Sequence, residues 1–294
     1  MSHRAGTAVI VGRPNVGKST LVNALVGQKV AIVTPRPQTT RTRVVGIRTL
    51  AEAQVVFLDT PGIHPARSLL NRRMVELARS ALADADVAVL VVEAGAGVTA
   101  GDRALTEELA GRTGPVVVVL NKLDRIVKSK LLPIMAEMGR LLPRAELVPG
   151  SAKTGAELPT VLDVIVKHLP EGPNLYPDDE FTTETERHLA EELVREQVFL
   201  ATREEIPYGV AVVLDEFTER PERRVTVVKA TILVDRENHK PIVIGAGGER
   251  LKTIGTRARE EIEALLGTKV FLELFVRVEP GWSQSPRRLA ELGL

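Results

Sequence analysis

Through the first 170 positions the apolar residues cluster in short, β-branched-rich runs at 8–11, 55–58, 87–92, 116–120 and 145–148. A turn and then a stretch with helical spacing follow the runs. Runs that are apolar on nearly every residue predict strands buried on both faces, and their alternation with helices predicts an α/β fold with a mostly parallel, doubly wound sheet. Ligands of such sheets sit at the carboxyl ends of the strands, so the loops after each run hold the candidate chemistry. Beyond residue 184 the pattern changes to a helix over 184–202, strands over 210–217 and 224–234, a glycine cluster at 245–248, a helix over 250–266 and a strand over 269–278. That order predicts a smaller α+β domain. Pro170, Gly172, Pro173 and Pro177, followed by acids, mark a linker between the two. The expected division is 1–172, a linker at 173–183, and 184–294.

Composition adds exclusions. At 294 residues the chain is about twice a typical domain of roughly 150 residues, in keeping with two domains. Its 44% hydrophobic and 26% charged residues are ordinary for a globular protein. No cysteine is present, which excludes disulfides, thiolate catalysis and cysteine-held metals. No apolar run approaches the roughly 18 residues of a membrane span, and the N-terminus lacks a cleavage-site pattern, so a cytoplasmic protein is expected. Six Phe, two Tyr and one Trp argue against a reader that stacks bases on aromatic rings.

The loop after the first run reads Gly12-Arg13-Pro14-Asn15-Val16-Gly17-Lys18-Ser19, then Thr20, and fits G-x-x-x-x-G-K-[ST] between a strand and a helix. Its backbone N–H groups would face phosphates, Lys18 would reach the β and γ phosphates, and the Ser19 hydroxyl would ligate Mg²⁺. Asp59-Thr60-Pro61-Gly62 closes the second run, as expected of a carboxylate holding Mg²⁺ through water while Gly62 meets the γ-phosphate. Asn121-Lys122-Leu123-Asp124 ends the fourth. A carboxylate at Asp124 accepts from guanine N1–H and the 2-amino group, donors that adenine lacks, and Ser151-Ala152-Lys153 would support the base from its far side. Together these favour GTP and GDP over ATP.

The polar stretch 34–43 carries threonines that could ligate Mg²⁺ only when the γ-phosphate holds the loop, which would make it a switch; Thr40 is favoured over Thr39. A solvated surface loop is the plainer alternative. Ile63 occupies the position where Ras-like enzymes carry a water-orienting Gln, so slow intrinsic turnover is expected. Asn15 offers an oxygen that could hold K⁺ against the phosphates, and His64 is a candidate accessory group.

Gly245-Ala246-Gly247-Gly248 opening a helix, in this order of elements, resembles a type II KH domain, in which a G-x-x-G loop approaches single-stranded nucleic acid beside an aliphatic groove. Residues 223–259 hold nine Lys/Arg against three acids. Arg223, Arg224, Lys240, Arg250 and Lys252 are the candidate RNA contacts.

With both halves read, the chain resembles the Era family of bacterial GTPases over nearly its full length. The resemblance rests on the phosphate loop, Gln38-Thr39-Thr40-Arg41, Asp59-Thr60-Pro61-Gly62, Asn121-Lys122-Leu123-Asp124, the Leu169-Pro170-Glu171-Gly172-Pro173 linker, residues 244–255, and the ending 272–276 through Gly281-Trp282. It implies a P-loop GTPase domain followed by a type II KH domain, and binding to the 3′ end of 16S rRNA. It also implies a role in small (30S) subunit assembly and some peripheral membrane association. A monomer is expected. Family members often carry a basic residue within G-x-x-G, where this chain has Ala246-Gly247. GTP is expected to order the switch and open the groove to RNA, with hydrolysis resetting it. Two other readings fit the residues: an RNA-binding sensor of GTP with negligible hydrolysis, and a GTPase whose KH-like domain docks a protein.

The formal charge of +1 is a cancellation. Residues 1–172 carry 22 Lys/Arg against 15 Asp/Glu, and 173–294 carry 17 against 23. A local basic groove on an acidic domain suits a short single strand better than a duplex.

Overall fold

A computed structural model describes residues 3–63 and 68–294. Among these residues the chain divides into two compact units, one formed by 3–31, 40–63 and 71–183, the other by 32–39, 68–70 and 184–294.

The first unit contains β1 (Arg4–Val11), α1 (Lys18–Val26), β2 (Val44–Thr49), β3 (Ala53–Asp59), α2 (Leu69–Asp84), β4 (Val87–Glu93), α3 (Ala100–Ala110), β5 (Val116–Asn121), α4 (Leu131–Leu141), β6 (Glu146–Pro149) and α5 (Leu158–His168). Its six-stranded sheet runs β2-β3-β1-β4-β5-β6, all parallel except β2, which pairs antiparallel with β3. Successive residues of one strand feed two cores. Ile10, Phe57, Val89 and Val119 pack with Leu21 and Leu25 of α1 and Ile165 of α5. On the other face Val9, Leu58, Leu90 and Leu120 pack with Leu82, Leu105 and Met138. This two-sided burial is why the strands read as unbroken valine-rich runs.

Two features differ from the sequence reading. The strand β2 was not predicted, because Val44-Val45-Gly46-Ile47 follows the polar loop directly and is short. The proline-rich stretch is strapped onto the first unit. Buried Gln54 accepts at Oε1 from the N–H groups of Leu175 and Tyr176 (2.8 and 2.9 Å) and donates from Nε2 to the Tyr176 carbonyl (2.9 Å). Farther on, Ile47 N–H donates to the Phe181 carbonyl (2.8 Å) and Thr182 Oγ1 donates to the Val45 carbonyl (2.6 Å).

The second unit holds α6 (Glu186–Ala201), β7 (Val210–Arg220), β8 (Val225–Val234), α7 (His239–Ile244), α8 (Glu249–Leu266), β9 (Lys269–Val278) and α9 (Pro286–Glu291). The sheet order is β7-β8-β9, with β7 antiparallel and β9 parallel to β8. Leu193 and Val198 of α6 and Ile254, Ala258 and Ile262 of α8 cover one sheet face through Val212, Val228, Ile232 and Val270. Short α7 and α9, six residues each with a proline, carry too little periodicity to be legible in sequence.

Residues 32–39 join this unit. Ile32 enters its core, Val33 N–H donates to Glu196 Oε1 (2.8 Å), and Arg36 Nε donates to the Phe199 carbonyl (2.9 Å). Arg195 Nη2 donates to the Thr39 carbonyl (2.7 Å).

Near the start of α6, a hydrogen bond to Glu191 raises the His188 pKa above its ordinary value, aided by the charges of Glu192 and Glu184 and opposed by burial. A raised folded-state pKa gives stability that is complete below about 6.5 and is lost as pH climbs through the raised value. The urea midpoint of the second unit's unfolding should therefore fall between pH 6 and pH 8, and His188→Gln should narrow that fall; an equal fall in the variant refutes the assignment.

Candidate nucleotide site and nucleic-acid groove

The carboxyl ends of β1, β3 and β5 converge. After β1 the chain turns through Gly12, Arg13, Pro14, Asn15 and Val16, and Asn15 takes a left-handed φ of 63°, a region Asn tolerates. Gly17 (φ 99°) precedes α1, whose N-terminus no side chain caps. Free N–H groups at a helix start favour an anion. Lys18 is buried and donates from Nζ to the carbonyls of Gly12 (3.3 Å) and Arg13 (3.1 Å). Burial lowers its pKa to about 8, with Asp59 pulling the other way, while burial raises that of Asp59.

Ser19 opens α1 beside Asp59 and Thr40. Ser19 Oγ donates to Asp59 Oδ2 (2.6 Å) and lies 2.8 Å from Thr40 Oγ1, which is 3.3 Å from the same carboxylate oxygen. The hydroxyl of Thr39 turns away, to Thr34 Oγ1 (2.6 Å) and the Arg36 carbonyl (2.9 Å). Asp59 Oδ1 is buried without a hydrogen-bond partner. Three hard oxygen donors and one orphaned carboxylate oxygen fit Mg²⁺.

The segment after Asp59 is latched to the phosphate loop. Thr60 Oγ1 donates to the Ile10 carbonyl (2.8 Å), Ile63 N–H donates to the Gly12 carbonyl (3.3 Å), and a Cβ on Gly62 would lie 2.8 Å from Pro14 N. Pro61 is buried between them, and Ile63 packs against the core. Thr20 is half-buried on α1. His64 lies outside the described residues.

Asn121 ties the end of β5 and the turn after β6 to the loop after β1. Its Nδ2 donates to the Val16 carbonyl (2.8 Å) and its Oδ1 accepts from Ala152 N–H (2.9 Å). Lys122, in a left-handed turn, donates from Nζ to the Asn15 carbonyl (2.6 Å) and Glu93 Oε2 (2.7 Å). Leu123 N–H donates to the Gly150 carbonyl (3.2 Å), fixing the next turn. Ser151 Oγ donates to Asp124 Oδ1 (2.6 Å), and this bond above all holds the exposed carboxyl below the usual carboxylate range, with help from Arg125 and Lys153. An ionised, outward-facing carboxylate is an acceptor suited to the paired donors of guanine.

Two positioning residues escaped the sequence reading. Asp102, buried on α3, accepts from Arg13 Nε (2.8 Å) and forms a capping box with Thr99. The signal was Thr99-x-x-Asp102 at a helix start. Glu93, at the end of β4, had no local signal.

In the second unit, Gly245, Gly247 and Gly248 have φ of 77°, 57° and 81°. A Cβ on Gly245 would meet Arg250 Cβ at 2.7 Å, whereas at Gly247 and Gly248 it would meet nothing, so there the backbone is open to a ligand. A groove of about 430 Å³ follows, with Gly248 and then Leu251, Lys252 and Arg259 of α8 facing Leu272 and Leu274 of β9. Of the predicted RNA contacts only Gly248 and Lys252 line it. Gly245, Ala246 and Gly247 lie in the loop at its mouth, Lys240 is on α7, and Arg250 is turned to the Ile242 carbonyl. Arg223 and Arg224 lie at the β7–β8 turn. Arg259, Leu272 and Leu274 become groove residues only because α8 packs along β9, a long-range contact no local pattern reveals.

A family model described as a 50S ribosome-binding GTPase matches residues 7–122, and one described as a KH domain matches residues 205–283. The chain is 49% identical over 290 residues to GTPase Era of Syntrophus aciditrophicus, spanning 99% of this chain and 95% of that protein. It is 48% identical over 290 residues to GTPase Era of Geobacter metallireducens, spanning 99% and 97%. Among solved structures, a variant of Aquifex aeolicus Era bound to GDP·AlF4⁻ is similar with a TM-score of 0.95 at 43% identity over 99% of both chains. A complex of Era with MgGDPNP and nucleotides 1506–1542 of 16S ribosomal RNA is similar with a TM-score of 0.96, also at 43% identity over 99% of both chains.

Replacing Asp102 removes half of the α3 capping box and the anchor of Arg13 together. Asp102→Ala should cost about 1–2 kcal/mol of stability in chemical denaturation and weaken guanine nucleotide binding in calorimetry; full retention of both would rule out the positioning role.

Proposed function

The chain belongs to the Era family of GTPases, and on that premise we propose that it binds GTP and GDP with Mg²⁺, hydrolyses GTP, and binds the single-stranded 3′ end of 16S rRNA during small-subunit assembly. The observation that carries this reading is the convergence at the carboxyl ends of the sheet strands of an uncapped helix start, the Ser19–Thr40–Asp59 oxygen cluster, and the Ser151-held carboxylate of Asp124. One family description names the large subunit, whereas the RNA of the full-length relative is from the small one. The likeness that spans both units takes precedence.

In this reading the N–H groups of residues 13–19 and the Lys18 ammonium bind the phosphates, and Ser19, Thr40 and Asp59 hold the metal. Bound there, Mg²⁺ neutralises phosphate charge. Asp124, Ser151, Ala152 and Lys153 hold guanine, flanked by Asn121, Lys122 and Leu123. Thr40 couples the metal to the switch. Ile63, packed into the core, gives no polar group for water, which favours slow turnover. Asn15 is exposed on the loop and is assigned the K⁺ contact. The Gly245–Gly248 loop and Lys252 bind RNA, with Lys240 and Arg250 adding positive charge nearby and Arg223 and Arg224 adding it at the β7–β8 turn. The reading extends to a cytoplasmic monomer with peripheral membrane association, as the family resemblance implies; no helix among the described residues is long and apolar enough to cross a membrane. If the GTP form favours RNA, RNA must tighten GTP binding by the same factor.

Phosphate release from GTP, measured with and without RNA, tests the enzyme; no release in either would leave only a GTP sensor. Asp124→Asn should lower GTP affinity by at least about a hundredfold, because the amide cannot accept both guanine donors. In the same assay the wild type should turn over faster in K⁺ than in Na⁺, and Asn15→Asp should change that ratio. Single-stranded RNA from the 16S 3′ end should bind with strong salt dependence, and Lys252→Glu should weaken it about tenfold or more while guanine nucleotide affinity holds. Salt-independent or absent RNA binding would favour a protein-docking module.

A further inference from the structure

A second cavity lies at the far end of the KH-like sheet from the glycine loop. It measures about 400 Å³ and is walled by Arg220 at the end of β7, Arg224 in the β7–β8 turn, Lys269 at the start of β9, Glu219, Val225 and Gly267. Three cations face one acid. Among the described residues, neither Arg220 nor Arg224 makes a side-chain hydrogen bond or ion pair, although most arginines of this unit do. Arg224 also has a left-handed φ of 49°, uncommon for a residue with a long side chain.

One carboxylate joins this cavity to the groove. Glu263 Oε1 accepts from Arg259 Nη1 (3.0 Å), which lines the groove, and Glu263 Oε2 accepts from Lys269 Nζ (3.4 Å), which lines the cavity. Its acid charge is thus matched on both sides. Lys252, Thr256, Arg259 and Glu263 follow each other at spacings of four, three and four, so they share one face of α8. From Lys252 to Glu263 that face runs about 16 Å.

We infer that the Arg220–Arg224–Lys269 cavity is a phosphate subsite that continues the groove and binds the backbone of the RNA strand after it leaves the region read beside the G-x-x-G loop. The inference rests on the RNA-binding reading above and names where the strand goes next. A KH groove clamps about four nucleotides, so a longer single strand must find its remaining phosphate contacts elsewhere. Arginines without protein partners, in a cavity sharing an ion-pair bridge with the groove, offer bidentate donors for phosphodiester oxygens. No aromatic residue lines the cavity, so it contributes backbone affinity without base selectivity.

The test compares a five-nucleotide and a twelve-nucleotide single-stranded RNA from the 16S 3′ end, using full-length wild type and the double variant Arg220→Ser, Lys269→Ser. In wild type the longer RNA should bind more tightly and show the steeper salt dependence. In the double variant its affinity should drop about tenfold and its log–log salt slope should shrink by about 1.4, two lost phosphate contacts at about 0.7 each on a single strand. Binding of the short RNA should be unaltered, which also reports an intact fold. Unchanged affinity and slope for the longer RNA would overturn the inference, as would an equal loss for both lengths. A loss confined to an oligo-aspartate peptide, with both RNAs unaffected, would overturn it in favour of an acidic protein partner. Failure of wild type to bind either RNA would instead refute the RNA-binding reading itself.

Discussion

The carboxamide of Asn121 is the constraint on which the nucleotide site depends. It is buried, and its two ends are used by different loops, Nδ2 by the Val16 carbonyl and Oδ1 by Ala152 N–H. A buried amide left half-paired costs about 1–3 kcal/mol, so the phosphate loop, the β5 end and the β6 end are fixed as one assembly. That assembly dictates Gly17. A Cβ there would sit 2.4 Å from Asn121 Nδ2, so the glycine is required by protein packing as well as by its φ of 99°. The loop's shape is therefore set by the chain's own bonds, which lowers the ordering cost of binding a phosphate.

Much of this was legible in the sequence. Strands buried on both faces announce themselves as apolar runs, and the phosphate-loop, Asp59 and Asn121–Asp124 motifs each fall at the end of one. What the sequence withheld depends on partners distant in the chain. Asp102 reaches Arg13 across 89 positions, and Glu93 reaches Lys122 across 29. The residues that wall the groove needed α8 to meet β9. Residues 32–39 read as a polar loop, yet Ile32 is a core residue of the second unit and the backbone on either side of Pro35–Gln38 is held by Glu196 and Arg195. A boundary between the two units falls at the peptide bond between Thr39 and Thr40, whose hydroxyl lies beside Ser19 and Asp59.

Charge behaves in the same way. The whole-chain value of +1 conceals an acidic second half in which Lys252 and Arg259 share one face of α8. The acid on that face, Glu263, is paired with both Arg259 and Lys269. Net charge describes solubility; the spacing of residues along α8 describes what can be bound.

The strap of residues 175–182 has one more consequence. The strand β2 closes one side of the larger sheet, and its outward N–H and C=O groups at Ile47 and Val45 are covered by Phe181 and Thr182. An uncovered edge strand is a template for pairing with another chain and so for aggregation. The proline-rich stretch is therefore a selvage on the sheet: a chain severed at its first prolines would lose the finished border and leave β2 open to any extended neighbour.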